Sequence, residues 1–206
     1  ELQSLIDSNA YADALPLAKA EMQACEAALA ADAALGLTHC FLVRQETLHL
    51  ALFQEDNAFA IAEAERLLTD SQSGDSILHL EARLTAINIL SLAYSRVGDF
   101  EKALTYLQMD LAVSKEVFGE NSREVAVSLL NIGVMYDHRL RQHETGLAYY
   151  QQGEAVLRAG GHERTEDMAT ALGHQGRAYD NLGLPYQSGD YYRRAIALVE
   201  SLPAEE

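Results

Sequence analysis

The 206-residue chain is acidic, with 31 Asp and Glu residues against 15 Lys and Arg and a formal net charge of −16. This charge repels phosphate backbones, so nucleic-acid binding by this segment is not expected. Its apolar runs are far shorter than the roughly 20 residues that cross a bilayer, so no membrane span is expected. The charge is uneven, because residues 1–82 hold 14 acidic and only 3 basic side chains. We interpret that stretch as a source of solubility, with a docking surface for a basic partner as the alternative.

The chain begins with Glu1 instead of Met. This start predicts an excised fragment or a processed chain, so the lack of a signal peptide does not fix the compartment. We favour the cytoplasm and keep the periplasm as the alternative. Ala and Leu dominate the composition and Pro is rare, which favours helices.

The first predicted helices flank a turn near Ala31–Ala34, and Cys25 and Cys40 lie about equally far from it. Two antiparallel helices could bring these cysteines together, so a disulfide is geometrically possible. We expect two buried free thiols instead. Neither cysteine has the spacing of a metal site or a redox dipeptide pair.

Three later segments repeat one pattern with a period of about 42 residues. Their tyrosines, Tyr94, Tyr136 and Tyr179, lie 42 and 43 residues apart. A small residue precedes each tyrosine by one helical turn. We expect this small residue to allow close approach of the partner helix, and the tyrosine to fill the space beside the small residue. These small residues are Ser91, Gly133 and Gly176.

Each repeat is predicted to contain two helices. The first helices begin near Ser76, Ser122 and Thr165 and end just past the tyrosine, and Asn121 with Glu124 resembles a capping box. Turns marked "VGDF" and "LGLPY" lead to second helices, in which apolar residues recur on one helical face. The pattern predicts helical hairpins stacked along the chain.

This pattern resembles the tetratricopeptide repeat, in the longer form found in kinesin light chains. The segment "SLLNIGVMY" is similar to that family's first helix, and Gly98, Phe100 and Ala103 occupy its Gly, aromatic and Ala positions. The third repeat is irregular, with Leu140, Gln142 and Thr145 at those positions. The resemblance implies an all-α fold, a right-handed α-α superhelix or solenoid of antiparallel helix pairs.

The resemblance also divides the chain into units of a single array spanning residues 1–206. "NAYADALPLA" fits a turn and second helix with Asn9 at the Gly position, so the first unit is partial, and the second unit is degenerate. The predicted units are 1–34, 35–73, 74–118, 119–160 and 161–202.

A repeat array supplies a binding groove and no chemistry of its own. The resemblance therefore implies a protein–protein interaction module, bacterial in style, that binds a peptide or protein segment in its concave face. One alternative is a sensory or regulatory domain of a longer protein that controls an attached enzyme or transcription regulator. The other alternative is an oligomerisation scaffold.

The family register assigns polar first-helix positions to the concave face. The candidate binding residues are Asn88, Arg96, Asn131, His138, His174, Arg177 and Asn181. The same register adds Thr85, Ile89, Leu92, Ser95, Val127, Leu130, Val134 and Thr170. An amide suits an extended peptide, since it offers a donor and an acceptor, and the arginines and His174 could hold carboxylates.

Other interpretations of these residues stay open. Asn131 could be a buried amide bonded between helices, and Arg96 and Arg177 could be solvated or ion-paired. The set does not reproduce the Lys/Arg–Asn pattern of carboxylate-clamp members, so binding of chaperone tails is not implied.

No motif for catalysis, phosphate binding or metal binding appears in the sequence. His138 and His143 lie five residues apart, which is not the spacing that stacks two ligands on one helix face. We therefore expect no enzyme activity, no metal and no cofactor.

The remaining aromatic and apolar residues predict packing surfaces. We expect the Tyr149–Tyr150 and Tyr191–Tyr192 pairs to pack between repeats, and Phe41, Phe53 and Phe59 to lie in the core. The last helix carries the apolar residues Ala195, Ile196, Leu198 and Val199. This face is expected to pair with another copy, giving a homo-oligomer, or with further sequence of a longer protein.

Overall fold

The computed structural model describes residues 5, 10–31, 37–73 and 76–203, and every regular element within them is helical. The α-helices are α1 (Tyr11–Ala31), α2 (Leu37–Phe53), α3 (Asn57–Asp70), α4 (Ile77–Val97), α5 (Phe100–Phe118), α6 (Arg123–Val134), α7 (His143–Ala159), α8 (Glu166–Asn181) and α9 (Pro185–Ser201). A short 3₁₀ helix spans Ser71–Ser73, and a π-helical turn spans Met135–Arg139. In the described part of the chain, no helix has the length and apolar character needed to cross a membrane.

The chain divides into two compact units, Glu1–Tyr106 and Leu107–Glu206, called unit 1 and unit 2 below. In unit 1, α1 packs on α2, and α2, α3 and α4 pack on one another. In unit 2, α6 packs on α7, α7 on α8 and α8 on α9, while α6 also touches α8. Short connections between consecutive helices produce antiparallel neighbours of the helical-hairpin type. The division into five repeat units stays a prediction.

The predicted starts of the first helices are confirmed by their caps. The side-chain oxygens of Ser76, Ser122 and Thr165 each accept a hydrogen bond from the backbone N–H three residues later, at 3.3 to 3.4 Å. Such bonds satisfy backbone donors that the first turn leaves without partners. The capping box expected at Asn121 is wrong, because Ser122 is the capping residue.

Gly133 allows α6 and α7 to approach closely. A Cβ atom at this position would lie 2.5 Å from Cε1 of Tyr150, whose side chain is fully buried. From the sequence, we expected Tyr136 to fill the space beside this glycine. Tyr136 instead stacks on Tyr149, with ring centroids 5.5 Å apart. The small residue thus has the predicted role, but a tyrosine of the second helix fills the gap.

The irregular third repeat contains one additional residue, which the π-helical turn accommodates. Gly98 and Gly183 follow their repeat tyrosines by four residues and adopt φ of 84° and 73°. Arg141 follows Tyr136 by five residues and adopts φ of 58°, so it takes the place of these glycines. The sequence alignment that placed Leu140 at this position is therefore shifted by one residue.

Two expectations for unit 1 are wrong. Cys25 and Cys40 form a disulfide that joins α1 to α2, with Cα atoms 5.5 Å apart, so they are not free thiols. Phe53 is 63% exposed and lies outside the core, although its ring contacts that of Tyr11. Asn9 and most of the turn expected near residues 31–34 lie outside the described residues.

Candidate functional site

The centre of the candidate site is Asp137, which lies in the π-helical turn and is 1% exposed. His143 Nδ1 donates to its Oδ1 at 2.6 Å, and Asn181 Nδ2 donates to the same oxygen at 3.2 Å. The hydroxyl of Tyr150 donates to Oδ2 at 3.4 Å. These donors stabilise a buried carboxylate that would otherwise be costly to remove from water.

Two further basic groups lie near Oδ2 of Asp137. His138 Nε2 is 3.3 Å away and Arg177 Nε is 3.6 Å away. Burial raises the pKa of Asp137, but the bonds from His143 and Asn181 and the charges of these neighbours hold it below its ordinary value. The carboxylate therefore stays ionised and holds groups from α7, α8 and its own turn in fixed positions.

Arg177 and His174 form a second contact beside the carboxylate. Arg177 Nη2 is 2.8 Å from His174 Nδ1. Because a guanidinium only donates, Nδ1 must accept, and the imidazole is neutral with its proton on Nε2. Burial, followed by the charges of Arg177 and His138, lowers the pKa of His174 to about 4. Burial and Arg177 also lower the pKa of His138.

Tyr150 connects this cluster to the hydrophobic core of unit 2. Its ring packs against Gly133 and stacks on His174, with ring centroids 5.0 Å apart. Burial, together with the neighbouring Asp137 carboxylate, raises the pKa of Tyr150 above its ordinary value. The neutral phenol of Tyr150 therefore contacts both residues, Asp137 through its hydroxyl and His174 through its ring.

Four of the seven predicted binding residues come together around Asp137. These four are His138, His174, Arg177 and Asn181. Asn131 is exposed on α6 of the same unit, so the alternative of a buried amide is wrong. Arg177 is ion-paired, as one interpretation of the sequence expected, and its side chain is still 36% exposed.

The two candidates of unit 1 are not part of this cluster. Asn88 is exposed on α4, and Arg96 donates from Nη1 to the backbone carbonyl of Leu52. Three further positions that the family register assigned to the concave face, Ile89, Ser95 and Leu130, are buried in the structure. These three residues therefore serve packing.

Sequence reasoning missed Asp137 and His143 as members of the site. The sequence suggests His143 only as a possible metal ligand, and it gives no reason to expect that Asp137 is buried. A usable signal was the spacing of the repeat tyrosines, 42 residues from Tyr94 to Tyr136 and 43 from Tyr136 to Tyr179, because an additional residue in a helix can form a π-helical turn, and such turns are frequent at functional sites.

The cluster presents fixed polar groups to solvent. Asn181 donates from Nδ2 to Asp137, and this hydrogen bond fixes the orientation of the Asn181 amide. The Arg177 guanidinium donates to His174 from Nη2 and has further N–H groups that can donate to a ligand. Together with exposed His138, these groups can donate to carboxylate or carbonyl oxygens and accept from a backbone N–H. In the described part of the chain, no group of His, Cys, Asp and Glu side chains is arranged to hold a metal ion.

Residues 81–159 match the family model described as tetratricopeptide repeat. No curated protein matches the chain. Among solved structures, BtubC (BKLC) from P. vanneervenii matches with a TM-score of 0.74 and 19% identity, over 95% of this chain and 76% of that one.

Two other structures have the same fold. A putative kinesin light chain from Podosopora anserina with nearly identical TPR-like repeats matches with a TM-score of 0.73 and 14% identity, over 99% of this chain and 94% of that one. A Rap protein complexed with competence and sporulation factor matches with a TM-score of 0.64 and 14% identity, over 97% of this chain and 52% of that one. At such identities the likeness concerns the fold.

Proposed function

Since residues 81–159 form tetratricopeptide repeats, as the sequence predicted, we propose that the chain binds an extended segment of a partner protein and catalyses no reaction. Stacked helix pairs provide a surface for recognition and no reactive centre. The Rap protein, complexed with competence and sporulation factor, supports the proposal as an example of this fold holding a ligand.

The observation that carries the proposal is the assembly of His138, His174, Arg177 and Asn181 around one buried carboxylate. Binding surfaces gain affinity when their polar groups are held in place before the ligand arrives, because less conformational entropy is lost. Asp137 provides this preorganisation in unit 2.

The ligand chemistry follows from the groups that stay accessible. The Arg177 guanidinium suits a carboxylate or a main-chain carbonyl, since its donors form a fixed fork. The exposed amides of Asn131 and Asn181 suit an extended main chain, which offers alternating donors and acceptors. We therefore expect a peptide segment with at least one acidic side chain.

Selection from a random peptide display library tests this function. Peptides enriched on the wild-type chain are synthesised, and their dissociation constants are measured by fluorescence anisotropy. We expect the Asn131→Ala, Arg177→Ala double variant to bind about 10-fold or more weakly, because a hydrogen bond to a charged group contributes roughly 1.5–3 kcal/mol.

The matched control carries the same two kinds of substitution at other exposed positions of unit 2, Asn121→Ala and Arg193→Ala. We expect this control to bind like the wild type. A library that yields no enriched peptide, or equal binding by both double variants, would contradict the proposed site.

A second candidate function, self-association, is favoured by the apolar face of α9. Ile196 and Val199 are 58% and 56% exposed on this helix. We propose that this face pairs with a second copy of the chain. Sedimentation velocity should show a concentration-dependent dimer that Ile196→Glu abolishes, whereas a monomer at all concentrations would refute the pairing.

A further inference from the structure

The last turns of α1 are joined to the rest of unit 1 mainly through the disulfide. Residues 23–28, called the α1 end below, include two half-buried side chains, Cys25 and Glu26, and the other four are exposed. The nearest buried side chain before them is that of Met22, which is 3% exposed. Cys25 is bonded to Cys40 of α2, with Cα atoms 5.5 Å apart. The α1 end therefore buries little apolar surface of its own against α2.

The other attachment of the α1 end is an ion pair with α3. Arg66 Nη2 lies 3.2 Å from Glu26 Oε1, and the two side chains are 59% and 30% exposed. An ion pair of this kind contributes only about 0–1 kcal/mol, because water screens both charges. A helix end with so little packing opens readily, so the disulfide is what keeps the α1 end in place.

The first part of α1 is attached more firmly. Ala14 and Ala18 are fully buried, and Thr47 of α2 donates from Oγ1 to the carbonyl of Ala18 at 3.3 Å. Lys19 Nζ lies 2.7 Å from Oδ2 of Asp56, the residue that caps α3. These contacts do not depend on the disulfide, so its loss should free the α1 end and leave the first part of the helix docked.

The α1 end also borders a cavity of about 450 Å³ in unit 1. Glu26 of α1 and Cys40 of α2 both line this cavity, and its apolar lining includes Phe41, Leu67 and Ala82. The volume lies within the range of roughly 300–1,000 Å³ that small-molecule sites occupy. Movement of the α1 end away from α2 would therefore open the cavity and expose its apolar lining.

The two sulfur atoms of the disulfide differ in access. Cys25 is half-buried, whereas Cys40 is 4% exposed. One thiolate of a dithiol would attack Cys25 Sγ, forming a mixed disulfide and displacing Cys40 as a thiolate that then takes up a proton. The second thiol of the same dithiol displaces Cys25 and closes the oxidised dithiol. The protein disulfide thus gains two electrons and two protons, and the dithiol loses them.

We propose that the Cys25–Cys40 disulfide is a redox-sensitive latch. In the oxidised chain it holds the α1 end on α2 and closes one side of the cavity. Reduction by a dithiol releases residues 23–28 and opens the cavity to solvent, while the first part of α1 stays docked. This latch lies in unit 1 and does not depend on the peptide-binding proposal for unit 2.

Hydrogen exchange of the full chain, measured by mass spectrometry with and without dithiothreitol, tests the latch. In the reduced chain, we expect the amides of residues 23–28 to exchange nearly as fast as those of an unfolded peptide. We expect the amides of residues 14–19 to stay about 100-fold or more slower than that rate, because local opening leaves the docked part protected. Fluorescence of anilinonaphthalene sulfonate, which reports exposed apolar surface, should rise on reduction.

The control is the Cys25→Ser, Cys40→Ser variant, which has no disulfide to reduce. It should show fast exchange at residues 23–28 and high dye fluorescence without dithiothreitol, and dithiothreitol should change neither. Circular dichroism checks that the variant folds. The reduced wild type has the same open disulfide with both cysteines present, so the test stands even if the variant does not fold.

Four results would overturn the proposal. The first is a folded chain whose disulfide resists dithiothreitol, as shown by titration of its thiols. The second is unchanged protection of residues 23–28 in the reduced chain. The third is loss of protection throughout unit 1, which would mean that the disulfide staples the whole fold. The fourth is unchanged dye fluorescence on reduction, which would mean that the cavity stays closed.

Discussion

At residue 133, the absence of a side chain sets the distance between α6 and α7. A Cβ atom at residue 133 would lie 2.5 Å from the Tyr150 ring, and the same tyrosine bonds Asp137 through its hydroxyl and stacks on His174. One glycine therefore connects the packing of unit 2 to the geometry of its candidate site.

Gly133→Ala should lower the free energy of unfolding by about 1–2 kcal/mol, because an overpacking cost in the upper part of the usual 1–3 kcal/mol range outweighs the roughly 1 kcal/mol gained in helix propensity. The control is Gly173→Ala on α8, where an added Cβ meets no atom within 4 Å and the propensity gain should stabilise the chain. Urea unfolding measures both variants. Equal stability of the two would contradict the close packing at Gly133.

Asp137→Asn should destabilise unit 2 by about 3 kcal/mol, because it removes the charge that compensates a partly buried Arg177. Asp180→Asn makes the same change at the exposed residue that follows the tyrosine of the next repeat, and it should have little effect. Thermal unfolding compares the variants. A mild loss of stability, equal at both positions, would show that Asp137 is not the anchor of the cluster.

His174 should make stability depend on pH. Its pKa is about 4 in the folded chain, against an ordinary value of 6.5, because of its burial and the nearby charges of Arg177 and His138. The unfolded chain thus binds more protons between these values, so stability falls as the pH drops from 6.5 to 4. His138, whose pKa is also lowered, acts in the same direction.

The measurement is urea unfolding at a series of pH values between 4 and 7. His174→Gln should flatten the profile, with a difference on the order of 2 kcal/mol across this window. An unaltered slope in His174→Gln would contradict a half-buried imidazole that stays neutral in the folded chain.

At the scale of the elements, the helix starts at Ser76, Ser122 and Thr165 could be predicted from the sequence because caps are local. The π-helical turn could not be predicted by aligning the repeats. An alignment without a gap puts Leu140, Gln142 and Thr145 at the Gly, aromatic and Ala positions, so the one additional residue appears as three mismatches. The burial of Asp137 depends on that turn and was therefore missed. His138, His174, Arg177 and Asn181 were found because family register places first-helix positions on one face.

The disulfide was also not predicted, because the distance between Cys25 and Cys40 depends on how α1 packs on α2. It closes a loop with a sequence separation of 15, for which the entropy of the unfolded chain predicts roughly 3 kcal/mol of stabilisation. Reduction with a phosphine should thus lower the melting temperature of the wild type by several degrees.

The control for reduction is the Cys25→Ser, Cys40→Ser variant. It should melt at the lower temperature whether or not the phosphine is present. A wild-type chain that contains two titratable thiols before reduction would refute the disulfide.

At the scale of the whole molecule, two units carry different features. Unit 2 presents the polar surface around Asp137, and unit 1 contains the disulfide and a cavity that Arg44 lines. The tetratricopeptide repeats of residues 81–159 extend into both units. Repeat architecture was evident from the sequence because a 42-residue period is a property of the chain, whereas a cavity depends on packing between helices.

A backbone amide chemical-shift map of the labelled chain, titrated with a selected peptide, tests the central claim most directly. We expect shifts that cluster at Asn131, His138, His174, Arg177 and Asn181 of unit 2 and that vanish in the Asn131→Ala, Arg177→Ala variant. Shifts confined to unit 1 or to α9, or an identical map from the double variant, would contradict it.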